Sequence, residues 1–182
     1  MKRIVGLLSA LSLLAHAYTY NQQLLQVYAK IAPRMMLLVE STEQHLHPRY
    51  LLCILYEPGN ENEAESLKEM MFEAYPDGLK GKDFQVVTVP FATCQSCRNA
   101  DLVVMLDADE ATIRNAVANA RTMGIATMSY SSRFLDEGVM MSLDLGATVR
   151  PYINLRAAKA AGIPINDVLL RISRIHNEGE TP

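Results

Sequence analysis

Apolar residues recur along this chain with two different periods, and the switching between them sets the expected order of elements. From Leu24 the period is helical. Leu24, Tyr28, Ile31 and Met35 lie four, three and four residues apart and share one face. Asn21 can cap that helix. Pro33 predicts a kink or break, because proline lacks the amide donor and its ring collides with the preceding turn. Tyr50–Tyr56 (YLLCILY) is an almost unbroken apolar run between His47-Pro48 and Pro58-Gly59, the pattern of a strand covered on both faces in a parallel sheet. A second helix follows. Asn60 and Glu63 are spaced as a capping box, Leu67, Met70, Met71, Ala74 and Tyr75 form the stripe, and Pro76-Asp77-Gly78 is the stop.

The same alternation continues. Phe84–Val89 and Leu102–Leu106 read as strands, and Asp109 caps a helix with Ile113, Ala116, Val117, Ala120 and Met123 on its apolar face. Gly124 ends it, and Ile125–Ser129 is a fourth strand. Strand–helix alternation at this spacing implies right-handed βαβ crossovers and a mostly parallel sheet. The pattern then changes. Val139–Leu143 and Ala147–Ile153 are separated only by Asp144-Leu145-Gly146, a gap that permits a hairpin and forbids a parallel crossover. Asn154 caps a short helix ended by Gly162. Asn166 or Asp167 opens a last helix through Ile175, with Val168, Leu169, Ile172 and Ile175 facing inward. The expected fold is α/β: a single-domain sandwich, its mostly parallel sheet flanked by helices and closed by an antiparallel hairpin.

Composition adds location. Lys2 and Arg3, the apolar run Ile4–Leu14 and the small residues of Ala15-His16-Ala17 have the layout of an export signal cut near Ala17. That run is shorter than the roughly 20 residues a membrane-spanning helix needs. The expected organisation is a signal at 1–17, one domain at 18–176 and a frayed tail at 177–182. Loss of the two cations Lys2 and Arg3 takes the formal net charge from −3 to −5. This acidic balance argues against a nucleic-acid partner. Three cysteines, Cys53, Cys94 and Cys97, would then sit in an oxidising compartment, allowing one bridge and one spare thiol.

Cys94-Gln95-Ser96-Cys97 precedes a strand rather than opening a helix after the first strand, unlike a thioredoxin-type site. Arg98 stands where a haem-attachment motif has histidine, and zinc would need more ligands than His45 and His47 offer. Asp107, Asp109 and Glu110 gather after the third strand, and Ser129, Ser131 and Ser132 after the fourth. That edge is where α/β folds hold ligands. Asp107, Asp109 and Ser131 are the ligand-edge candidates, with helix capping the plainer role for the acids. A Gly-rich phosphate loop and a Gly-x-Ser-x-Gly elbow are both missing.

The stretch Gly138–Ser173 carries the most specific pattern. It holds Gly138-Val139-Met140-Met141, Val149-Arg150-Pro151-Tyr152-Ile153-Asn154-Leu155, Ala157-Ala158, Ala161-Gly162-Ile163 and Leu169-Leu170-Arg171-Ile172. In order and spacing it resembles the C-terminal signature of the YfiR/HmsC-like family. The resemblance implies a periplasmic, non-catalytic α/β protein without a cofactor or metal. Such a protein binds the periplasmic sensing domain of a membrane diguanylate cyclase and represses it, lowering cyclic-di-GMP and limiting biofilm. It also implies dimerisation and a Cys53–Cys97 bridge. The residues themselves leave Cys53–Cys94 and Cys94–Cys97 open. Arg150 and Arg156, flanking the hairpin, and Met140 are the partner-binding candidates. A small-ligand carrier of substrate-binding-protein type and a thiol oxidoreductase are the competing readings.

Overall fold

The structure is a computed structural model and describes residues 20–39 and 48–177. The expected export signal, His45, His47 and the tail beyond Asn177 lie outside the described residues. Five helices, α1 (Gln22–Met36), α2 (Glu61–Ala74), α3 (Glu110–Thr122), α4 (Leu155–Ala160) and α5 (Asp167–Ile172), surround seven strands. The strands are β1 (Arg49–Tyr56), β2 (Asp83–Pro90), β3 (Leu102–Met105), β4 (Ala126–Ser129), β5 (Met141–Leu145), β6 (Val149–Ile153) and β7 (Arg174–Ile175). They form one sheet in the order β2-β1-β3-β4-β5-β6-β7. Pairing is parallel from β2 to β5, antiparallel between β5 and β6, and parallel again between β6 and β7.

The continuous apolar strands exist because both sheet faces are covered. Successive residues of a strand point to opposite faces. Leu52 and Ile54 of β1, with Leu102 and Val104 of β3, join a core with Leu25, Tyr28 and Met36 of α1 and Leu67 and Met71 of α2. Cys53 and Leu55, with Val103 and Met105, join a second core with Ile113, Ala116 and Ala120 of α3 and Phe91. Asp109 caps α3 by accepting from Thr112 N at 3.0 Å. The left-handed φ of +64° that ends this helix is carried by Gly124.

Five local expectations are corrected. Helix α1 does not break at Pro33 but runs on to Met36. Pro33 sits in the last turn and is buried with Ala29 and Ala32, so packing holds the helix together despite the lost amide donor. Of the expected stripe, Tyr28 and Met35 are buried and Leu24 and Ile31 lie at the margin; Leu25, Ala29, Ala32, Pro33 and Met36 are buried too, because packing against both sheet and α2 buries a broader arc than one stripe. Asn60 precedes α2 but makes no side-chain cap bond, and Glu63 closes no capping box; Asn60 is itself buried, and Glu61 Oε2 accepts from Gly59 N at 2.8 Å. In the hairpin, Asp144 and Leu145 are strand residues paired with Arg150 and Val149, so the turn falls at residues 146–148.

Helix α5 stops at Ile172 rather than Ile175. The chain beyond it becomes β7, where Ile175 pairs with Ile153 and His176 N donates to Ile153 O at 2.8 Å. The open edge of β6 offers carbonyls that a longer helix would leave unpaired, and this prevails. Leu169 alone of the four supposed inward residues is fully buried, while Val168 and Ile172 are 44% and 49% exposed.

Candidate functional site

Two regions contain the residues singled out in the sequence. The first is the C-terminal edge of the parallel strands. Asp107 follows β3, Ser129 ends β4 and Ser131 follows it, so the topology does bring them to one edge. Tyrosines from the start of the chain cover it. Asp107 N donates to the Tyr20 oxygen at 2.9 Å, and the Tyr20 hydroxyl donates back to Asp107 O at 3.5 Å. Tyr130 packs against Tyr20 with ring centroids 5.0 Å apart and receives a hydrogen bond from Asn21 N at 3.1 Å. The fully buried Tyr28 hydroxyl lies 2.9 Å from Ser129 O, 2.8 Å from Tyr130 O and 3.3 Å from Ser142 Oγ. Ser129 Oγ donates to Ser131 O at 2.7 Å.

This edge therefore carries phenols already engaged with the backbone. Burial pushes the Tyr20 phenol well above its ordinary range, and the Asp107 charge adds to it. Tyr28 and Tyr130 are raised chiefly by burial as well. All three are neutral phenols at physiological pH. Burial also raises the Asp107 carboxyl, against an opposing pull from Arg133. Asp107 Oδ1 is buried without a hydrogen-bond partner, as is Glu63 Oε2. Asp109 differs. Its bonds to the Thr112 side chain and amide hold its carboxyl below the usual range, as expected of a helix cap.

The second region is the C-terminal third. Arg150 on β6 is exposed and its Nε donates to Thr148 Oγ1 at 3.1 Å. Arg156 is exposed in the first turn of α4 and lines a hollow of about 310 Å³ between α3 and α4, beside Arg114 and Arg121. Met140 is a correction: it is only 2% exposed, at the floor of this hollow, so it fills core and is not a surface contact. Its N–H donates to Thr127 Oγ1 at 3.0 Å, which helps hold β5 to β4, since those strands share a single paired position, Met128 with Met141. Exposed large apolar side chains concentrate here: Leu145, Val149, Leu155, Val168 and Ile172.

Several residues in these regions carried no signal in the sequence. His176, buried, places Nε2 3.0 Å from Asp136 Oδ1 and packs edge-on to Tyr152. Tyr20 and Tyr130 meet only because α1 lies across β4. Among the described residues, no cluster of three or more His, Cys, Asp or Glu is placed to hold a metal ion. Cys53 and Cys97 form the disulfide, with Cα atoms 5.9 Å apart, and Cys94 is free. No helix among the described residues is long and apolar enough to cross a membrane.

These features define a disulfide-bonded α/β domain whose sheet edge is closed by its own side chains. The chain belongs to the YfiR/HmsC-like family, whose model matches residues 25–174, from α1 to β7. The family is one of periplasmic proteins, generally non-catalytic regulators, and membership is consistent with a periplasmic regulator of diguanylate cyclases. No curated protein matches the sequence. Among solved structures, a conserved domain protein from Vibrio cholerae O1 biovar El Tor is similar with a TM-score of 0.58 and 17% identity, over 84% of this chain and 60% of that one. The ABC domain in complex with L-Trp from Streptococcus pneumonia is similar with a TM-score of 0.53 and 14% identity, over 85% of this chain and 60% of that one. At these identities the likeness concerns the fold alone, and this chain spans 60% of the length of each.

Proposed function

We propose that this protein, freed of residues 1–17, acts in the periplasm by binding the periplasmic sensing domain of a membrane diguanylate cyclase and repressing it. The observation that carries the reading is the family match, which runs from within α1 to the start of β7, residues 25–174. The surface supports it. The edge where an α/β domain would take a small ligand is filled by Tyr20 and Tyr130. Exposed apolar residues, an ordinary anchor of protein interfaces, occur instead in the C-terminal third, the part of the chain that also carries the exposed Arg150 and Arg156. Arg150 and Arg156 are proposed as partner contacts.

Deleting the gene in its native strain tests the reading. Cyclic-di-GMP rises in the deletion strain and returns to the parental level on complementation, and a membrane cyclase co-purifies with tagged protein. An unchanged nucleotide level, with the cyclase present and active, would sink it.

A second reading, a small-ligand carrier, draws on the solved neighbour that holds L-Trp. It requires Tyr20 to leave Asp107. Thermal-shift screening separates the two, since a ligand at about 100 times its Kd stabilises by about 2.7 kcal/mol.

A further inference from the structure

The CxxC pair, Cys94 and Cys97, is not accounted for by partner binding. The 3-10 segment Phe91–Cys97 kinks at Thr93, so Cys94–Cys97 forms its second piece, and Cys97 at its end is bonded to Cys53 in the middle of β1. Both bridged cysteines are buried, Cys53 fully and Cys97 with 1% exposure. Solvent thiols therefore have no direct path to this bridge. Cys94 lies one 3-10 turn before Cys97, and in such a helix side chains three residues apart eclipse one another. One turn rises roughly 6 Å, inside the roughly 4.4–6.8 Å span that a disulfide needs between Cα atoms. Cys97 is thus in reach of both other cysteines.

Cys94 is also the accessible member of the three. It is partly exposed and borders a hollow of about 410 Å³ lined by Phe91, Thr112, Asn115 and Asn119. Asn119 Nδ2 donates to its sulfur at 3.3 Å and orients the thiol.

We propose that Cys94 is a thiol–disulfide exchange site through which the buried bridge changes partner. The Cys94 thiol gives its proton to solvent and its sulfur attacks Sγ of Cys97. The Cys94–Cys97 bond forms as the Cys53–Cys97 bond breaks, and the electron pair leaves on Sγ of Cys53, which takes up a proton. No oxidant or reductant is consumed. The product moves the disulfide to the surface, where a small dithiol can reach it, and releases the 3-10 segment from β1. This inference is independent of the regulatory reading.

The experiment follows reduction of the native, full exported protein by dithiothreitol, with acid quenching, alkylation and peptide mapping. Three samples are compared: wild type, Cys94→Ser, and wild type alkylated at Cys94 with iodoacetamide before reduction. The chemically blocked sample keeps the test valid if the substitution disturbs folding. Wild type loses the Cys53–Cys97 bridge about tenfold faster than either blocked form, because access governs exchange rates. Equal rates in all three overturn the proposal.

Discussion

Asn154 shows how one side chain is used twice. Its Oδ1 accepts from Ala157 N at 2.9 Å and caps α4, while its Nδ2 donates to Leu135 O at 2.8 Å in the connection before β5. Asn154→Ala removes the cap, worth about 1 kcal/mol, and strands a buried carbonyl, worth about 1–3 kcal/mol more. Urea unfolding should show a loss of about 2–4 kcal/mol, against about 1 kcal/mol for the exposed cap Asp109→Ala. Asp107 behaves oppositely. Its folded carboxyl titrates above the unfolded one, so the stability this group contributes is present below the ordinary carboxylate range and is lost as pH rises through the raised value. Asp107→Asn should match wild type in thermal midpoint near about pH 3 and exceed it at about pH 7, as measured by circular dichroism. An Asp107→Asn variant less stable than wild type at both pH values would contradict this account. Asn154 and Asp109 were legible as caps because capping depends on residues three positions away. The burial of Asp107 was not, because Tyr20 reaches it from 87 positions earlier in the chain.

At the scale of elements, the bridge between β1 and the 3-10 helix encloses a long loop. Cys53 and Cys97 are 44 residues apart in sequence. In the chain-entropy model closing such a loop stabilises by about 4 kcal/mol. The Cys53→Ala, Cys97→Ala double variant should lose about that much unfolding free energy in urea, and an undiminished value would remove the bridge from the stability account. The strands and their directions were readable because the distance between apolar runs limits the connection: a helix between β3 and β4, a turn between β5 and β6. Strand β7 was not readable. Val168, Leu169, Ile172 and Ile175 keep helical spacing, yet Ile175 pairs with Ile153 of β6. A two-residue strand has no pattern of its own and exists only because β6 presents an open edge.

On the scale of the whole molecule, one end is closed and another is open. Tyr20, Tyr28 and Tyr130 close the C-terminal sheet edge, while Leu145, Val149, Leu155, Val168 and Ile172 leave apolar surface exposed in the C-terminal third. Leu145 and Ile172 are half exposed, so Leu145→Glu and Ile172→Glu should each lower stability by no more than about 1 kcal/mol. Each should nevertheless reduce recovery of the membrane cyclase in co-purification. Undiminished recovery with both changes combined would move the proposed contact elsewhere. The amino-acid order by itself determined the succession of helices and strands as far as the start of α5, the parallel sheet with its antiparallel hairpin, the caps Asn21, Asp109 and Asn154, and the family signature. All of these are carried by residues close together in the chain. Only the tertiary structure decided which arc of α1 is buried, that Pro33 is accommodated, that Met140 lies inside, that the chain after α5 returns to the sheet, and that the ligand edge is filled. Each of those depends on segments that meet in space from distant points of the chain. Their contacts offset local preferences by amounts that a window of neighbouring residues does not contain.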